Sequence, residues 1–159
     1  MKKTYNFKQQ LKIGKKGEHI LDIFFKNKFH IKQVSLQTEL EEGIDRIFIN
    51  KKSGKKFSVE YKRDDMALKT GNLFIETLSN SSNGKLGWIF WSQSYRVMIL
   101  VGGIIYSLKT EELREYIKKE GDRYKERSCK NKTYYSVGKL MPIKDLVKLK
   151  SLIVFRGEK

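Results

Sequence analysis

The strongest constraint on the fold lies between residues 45 and 62. Two runs rich in β-branched and aromatic residues, Arg46-Ile47-Phe48-Ile49-Asn50 and Lys56-Phe57-Ser58-Val59-Glu60-Tyr61-Lys62, flank the polar stretch Lys51-Lys52-Ser53-Gly54-Lys55. Strand-like runs joined by a short polar segment with a glycine read as a β-hairpin. Side chains alternate along a strand, so Glu60 and Lys62 share one face while Val59 and Tyr61 take the other. A carboxylate and an ammonium therefore stand side by side. Asp45, on the same parity as Ile47 and Ile49, is expected at the mouth of an apolar, core-facing row, and antiparallel pairing can bring it near Glu60.

Elsewhere the apolar spacing predicts a helix over 10–26, with Leu11, Leu21, Phe24 and Phe25 on one stripe broadened by Ile20 and Ile23. A strand is expected over 31–36, a helical turn over 64–69, a break at Thr70-Gly71-Asn72 and a strand over 73–78. Residues 79–84 read as a surface loop. Buried strands are expected over 87–91 and 95–101, with Gly102-Gly103 turning the chain into 104–106. Thr110 is the expected N-cap of a helix ending at Gly121, with Glu111 and Glu112 in its first turn. The charge-dense stretch 122–132 reads as a solvated loop, 134–137 as a strand, Pro142 as the start of a short helix through Leu149, and 153–155 as an edge strand. No repeat or linker divides the chain, so residues 1–159 are expected to form a single domain. Its expected class is α/β, with one layer of mixed sheet between helices.

Charge narrows the partners. The chain carries 34 Lys and Arg against 18 Asp and Glu, a formal +16, which favours a polyanion such as DNA through counterion release. No basic amphipathic helix with a broad apolar face supports a membrane surface, and the apolar run 97–106, interrupted by Gly102-Gly103, is too short to span a bilayer. The basic opening MKKTYNFKQQLKI leads into no apolar run or cleavage site, so a cytoplasmic location is expected. One cysteine, Cys129, has no partner for a disulfide and no Cys/His cluster around it.

A third carboxylate, Glu18, shares the helical stripe with Leu11, Leu21 and Phe25 and is expected to be partly buried against the sheet. Clustered, buried carboxylates repel one another and resist desolvation unless a cation joins them. Oxygen-only donors suit Mg2+, with Mn2+ able to substitute. The expected chemistry is metal-assisted phosphodiester hydrolysis. Asp45 and Glu60 hold the metal, Glu18 positions water or a second ion, and Lys62 orients the attacking water and offsets charge building on the phosphate.

The order Gly17-Glu18 on a helix, then Gly43-Ile44-Asp45, then Val59-Glu60-Tyr61-Lys62 resembles the PD-(D/E)XK nuclease superfamily over roughly residues 10–80. Within it the chain is most similar to small phage-type nucleases and archaeal-type Holliday-junction resolvases, and Lys69-Thr70-Gly71-Asn72-Leu73-Phe74-Ile75-Glu76 resembles a segment of phage-encoded members. Ile44 stands where the motif names a proline. The resemblance implies a restriction-endonuclease-like three-layer α/β/α fold with a central mixed sheet, Mg2+ dependence, catalytic roles for Glu18, Asp45, Glu60 and Lys62, and often a homodimer. A bacterial or phage-infected cell is the expected setting. The half beyond Ser94 carries no matching signature.

Lys69 and Asn72, in a polar loop after the motif, and Lys15 and Lys16 are candidate phosphate-backbone contacts, although a solvated turn explains such residues equally well. Glu76 reads as an ordinary strand glutamate, and Trp88, Phe90 and Trp91 as core aromatics rather than base-stacking platforms. A structure-directed, Holliday-junction-resolvase-like endonuclease is the leading expectation. Its rivals are a restriction-type duplex endonuclease and, from another class, a non-catalytic basic nucleic-acid-binding protein.

Overall fold

The computed structural model describes residues 6–157. Helix α1 (Phe7–Phe25) is capped by Asn6, whose side chain accepts from the Lys8 N–H, and is followed by strand β1 (Phe29–Gln33). Helix α2 (Leu36–Glu42) comes next, starting at the Ser35 cap and ending at Gly43. The hairpin of β2 (Arg46–Asn50) and β3 (Lys56–Arg63) forms as expected. Helix α3 (Asp65–Thr70) leads to β4 (Asn72–Asn80), then β5 (Lys85–Leu86), α4 (Trp88–Trp91), β6 (Arg96–Val101) and β7 (Ile104–Lys109). Helix α5 (Thr110–Glu120), β8 (Glu126–Lys130), β9 (Tyr135–Pro142), a 3-10 turn over Ile143–Lys148 and β10 (Ile153–Arg156) complete the order.

The strands form two sheets. The six-stranded sheet has the order β1-β2-β3-β6-β7-β10, and the four-stranded sheet the order β5-β4-β9-β8. Only β3 and β6 run parallel, so the larger sheet is mixed. The α/β class holds, but the expected single sheet layer does not. Residues of β4 and β9 pack with α4 and α5 against one face of the larger sheet.

Strand β6 explains why both faces are covered. Its run Val97-Met98-Ile99-Leu100-Val101 is buried throughout, as a strand sandwiched between two layers requires. Met98 and Leu100 join Leu21 and Phe25 of α1 with Phe48, Val59, Tyr61 and Ile105 in one apolar cluster. Val97, Ile99 and Val101 face the other way, into a cluster with Leu73 and Ile75 of β4, Met141 of β9, Trp88 and Ile89 of α4 and Leu113 and Ile117 of α5.

Several expectations are overturned. Trp88 to Trp91 is a helical turn rather than a strand, with Trp88 6% exposed and part of the second core. Gly87 is the physical reason: a Cβ there would stand 2.1 Å from the Glu76 carbonyl oxygen, so the chain docks backbone to backbone on β4 and turns away. The stretch expected as a loop over 122–132 contains β8, fixed by its register with β9. Pro142 is the last residue of β9, and the short helix expected from it starts one residue later as a 3-10 turn, while Thr110 is the first helical residue, its hydroxyl bonded to Ser94 Oγ at 2.8 Å rather than capping the helix.

Gly87→Ala is expected to destabilise the protein by about 3 kcal/mol or more in urea unfolding, because the group it meets is backbone and cannot rotate aside. Gly103→Ala, where a Cβ meets nothing within 4 Å, should stay within about 0.5 kcal/mol of wild type.

Candidate active site

Register decides which side chains meet. Arg46 lies opposite Val59 and Phe48 opposite Phe57, and on this face Arg46, Phe48, Val59 and Tyr61 are buried under α1. Ile47 and Ile49 are only half-buried, so the core-facing row of β2 is the one that carries Arg46, not the one that Asp45 shares. Glu60 and Lys62 project from the opposite face, where Gly43, Ser92 and Trp88 surround them.

Asp45 sits one residue before β2. Its N–H donates to the Val59 carbonyl at 2.9 Å, and its Oδ2 accepts from the Tyr61 N–H at 2.7 Å. Burial raises its pKa to about 6; the Tyr61 N–H opposes this, Glu60 adds to it, and Lys62 and Glu18 act in smaller, opposite senses.

Glu60 is 4% exposed. One carboxylate oxygen pairs with Lys62 Nζ, while Oε2 is the one buried side-chain polar atom among the described residues with no hydrogen-bond partner. Gly43 leaves the space beside it: its φ of +62° ends α2 in a left-handed turn, and a Cβ there would come within 3.0 Å of Glu60 Oε2. Lys62 stands with its ammonium 5.5 Å from the Trp88 ring centre. Burial, the largest single influence, works against its charge, but the Glu60 carboxylate together with Asp45 and Glu76 holds its pKa above the ordinary lysine value.

Glu18 is placed differently from the expectation. Its Oε2 accepts from Arg46 at 3.1 Å, with Lys15 Nζ at 3.5 Å. Arg46 also grips Asp22 through Nε and a terminal nitrogen at 3.0 to 3.2 Å, and donates to the Asp45 carbonyl at 2.8 Å. Tyr61 donates its hydroxyl to Asp22 at 2.9 Å and lays its ring under the guanidinium, 5.5 Å away. Burial first and then Asp22 push the Tyr61 pKa far up, so the phenol stays protonated. Glu18 thus borders the same cleft as Asp45 but is tied to a protein cation. Among the described residues no group of three or more His, Cys, Asp or Glu side chains is arranged to hold a metal ion.

The cleft, about 310 Å³, lies between α1 and the end of β3 and is lined by Glu18, Asp45, Lys62, Arg63 and Lys15 among others. Glu60 is not in its lining. Lys15 and Lys16 are exposed on α1, and Lys69 is exposed in the last turn of α3 rather than in a loop. The Asn72 amide is engaged locally, donating to the Thr70 carbonyl at 3.3 Å.

Sequence reasoning missed Arg46, Asp22 and Tyr61, and set Glu76 aside as an ordinary strand glutamate. Asp22, four residues after Glu18 on the same helical face, and Arg46, on the parity of Phe48, were the available signals. Glu76 feels the charges of Lys62 and Glu60. Burial is the main cause of its raised pKa, with Lys62 and the Trp88 N–H acting against it. No family model matches this sequence, and no curated protein or solved structure matches it.

Two outcomes follow from the geometry. A folded-state Asp45 pKa near 6, raised from 3.8, means stability that is present below about pH 4 and lost as pH rises through 6. In chelator, urea unfolding of Asp45→Asn should lack this fall, which amounts to at most about 3 kcal/mol. Arg46→Met, which strands Asp22 and Glu18 without their cation, should cost about 3 to 5 kcal/mol in the same measurement.

Proposed function

We propose that this chain is a metal-dependent DNA endonuclease of the PD-(D/E)XK type, with Asp45, Glu60 and Lys62 at its centre. The observation that carries the reading is Glu60 Oε2, a buried carboxylate oxygen without a partner, next to a second carboxylate whose ionisation is resisted by burial. An unmet acceptor of this kind costs about 1 to 3 kcal/mol, more when charged, and a protein retains it where a ligand supplies the missing partner. The donors are hard oxygens, which fits Mg2+ or Mn2+. Asp45 and Glu60 would hold the ion. Glu18 could join them only by releasing Arg46, so two carboxylates form the core of the donor set.

The bound ion supplies charge neutralisation on the phosphate and activation of water. The chain's own residues do the rest. Lys62, paired with Glu60, presents a cation to a phosphate oxygen or an incoming water beside the buried carboxylates, where electrostatic stabilisation is stronger than in bulk solvent. Lys15 and Arg63 at the cleft wall hold the phosphodiester backbone. The net charge of +16 draws the polyanion in. The mixed six-stranded sheet with α1 on one face is compatible with a restriction-endonuclease-like arrangement, the four-stranded sheet being an addition on the other side. A structure-directed, Holliday-junction-resolvase-like activity, exerted by a homodimer in the cytoplasm, is the form of the proposal most in keeping with the motif order, ahead of a restriction-type enzyme. The pairing of Glu18 with Arg46 and of Glu60 with Lys62 favours a second reading, a non-catalytic DNA-binding protein whose acids are internally neutralised.

The test is nicking of matched four-way junction, linear duplex and single-stranded DNA, with Mg2+ and with chelator. Mg2+-dependent cutting is expected, reduced at least about 100-fold in Glu60→Gln. Faster cutting of the junction than of linear duplex selects the resolvase form. Tight binding to all three substrates without cutting overturns the nuclease reading.

A further inference from the structure

Helix α2 turns its apolar side chains to water. Leu36 and Leu40, one turn apart, are 68% and 63% exposed, and no residue of the helix is buried. Neither leucine belongs to an apolar cluster. Polar contacts hold the helix in place instead. The Ser35 side chain accepts from the Thr38 N–H, Gly43 closes the last turn, and the Glu42 carbonyl accepts from the Gln93 N–H at 2.7 Å. A surface helix ordinarily points its apolar stripe at the core, so this one has its stripe on the side that the chain leaves open.

Charge narrows what can cover those leucines. In a chain of net +16, residues 33–45 contain no Lys or Arg and four acids, Glu39, Glu41, Glu42 and Asp45. Among the described residues Glu39, Glu41 and Glu42 form no ion pair, and the Glu41 carboxylate takes only the neutral Gln37 amide, at 3.1 Å. Such a face repels phosphate, so nucleic acid is not its occupant. A surface both basic and apolar fits it, and the chain carries one. On α1, Lys12, Lys16, Ile20 and Ile23 lie within about a quarter-turn of one another, on the side opposite the buried Leu21 and Phe25. Ile20 and Ile23 are 45% and 49% exposed. Neither Lys12 nor Lys16 lines the cleft, and among the described residues it is Lys15 that pairs with Glu18.

We propose that α2 docks a second copy of this chain, its exposed leucines meeting Ile20 and Ile23 on the outer face of that copy's α1 and its glutamates meeting Lys12 and Lys16. Two α2 helices face to face would match the leucines but oppose the carboxylates, whereas α1 answers both. Burial of the four apolar side chains supplies the attraction, and the charge pattern decides which faces meet. Repulsion between two chains of +16 acts at long range and is screened over about 8 Å at physiological salt, while charges in contact are screened less. Helix α2 leads through Gly43 to Asp45, so the docked copy adjoins the candidate active site. The contact thus names an interface for the homodimer of the proposed function. Its place beside a catalytic centre rests on that reading; the contact itself does not.

Sedimentation velocity of the full chain, free of DNA and at physiological salt, tests the contact. Two short helix faces make a small interface, so the wild type should associate at micromolar strength, visible between about 5 and 300 µM. Glu39→Lys/Glu41→Lys, Lys12→Glu/Lys16→Glu and Leu36→Gln/Leu40→Gln should each weaken association at least about tenfold. The decisive measurement is the equimolar mixture of the two charge-reversed chains. Each has like charges facing one another in its own pairs, but the mixed pair has opposite charges again, and association should return to within about threefold of wild type. A wild type that stays monomeric, a Glu39→Lys/Glu41→Lys chain that associates as the wild type does, or a mixture that fails to recover overturns the proposal. So does tighter association of Glu39→Lys/Glu41→Lys with no change in Lys12→Glu/Lys16→Glu, which would mean that α2 pairs with itself. Should Lys12→Glu/Lys16→Glu melt early, Lys12→Glu alone takes its place in the mixture. Mg2+-dependent cutting by a chain that stays monomeric sinks the interface alone; recovery in the mixture by a chain that never cuts sinks the nuclease reading alone.

Discussion

The buried guanidinium of Arg46 is the contact on which the arrangement of the cleft depends. Taking such a charge out of water is expensive, and it is tolerated only where geometry and hydrogen bonding compensate fully. Here Asp22, Glu18, the Asp45 carbonyl and the Tyr61 ring all do so. Those partners come from α1, the entry to β2, and β3. Satisfying one cation therefore fixes the helix against both hairpin strands. The cleft lies where these three elements meet, with Glu18, Asp45 and Lys62 on its walls. The same bonds that build the cleft withdraw Glu18 from any purely acidic cluster.

Much of this was legible in the sequence because it rests on local periodicity. The hairpin, the shared parity of Glu60 and Lys62, the buried run of β6, the turn at Gly102-Gly103 and the last edge strand follow from alternation and turn chemistry that neighbouring residues set by themselves. Two kinds of feature were not legible. In one, tertiary contact overrides local preference, as at Trp88-Ile89-Phe90-Trp91, whose composition reads as a strand until Gly87 meets the backbone of Glu76. In the other, a strand is made by its partner alone, as in β8, whose polar residues carry no apolar period and acquire their conformation from pairing with β9. The second sheet was missed for this reason. The buried face of β2 was assigned to Ile47 and Ile49 because an arginine beside Phe48 reads as exposed unless its partners on α1 are considered.

The two apolar clusters bear on why the site can exist at all. Both draw on β6, which packs α1 through Met98 and Leu100 and the second sheet through Val97, Ile99 and Val101. Strand β3 runs beside it in parallel register, with Glu60 opposite Val97 and Lys62 opposite Ile99. The most polar positions of the interior are thus hydrogen-bonded to the most apolar strand. A rigid, doubly packed neighbour limits the relaxation by which a lone carboxylate oxygen could reach water, so Glu60 Oε2 stays unpartnered rather than rotating out. The nearby Ser92 hydroxyl does not supply the missing partner, because its Oγ donates to the Gly43 carbonyl at 2.8 Å instead.

Charge is sorted by depth. A chain of net +16 might be expected to favour ionised carboxylates everywhere, yet Asp45 is harder to ionise than a free aspartate, with burial as the leading cause. Long-range attraction from surface lysines is screened over about 10 Å at moderate salt, whereas loss of hydration acts at the atom itself. The exterior therefore attracts phosphate while the interior acids repel it. The sign changes at Lys62, whose ammonium Glu60 holds on the face of β3 turned away from α1. Glu60 Oε2 is where this sorting leaves a buried acceptor unmet, and the proposed nuclease reading rests on that oxygen more than on the abundance of lysine.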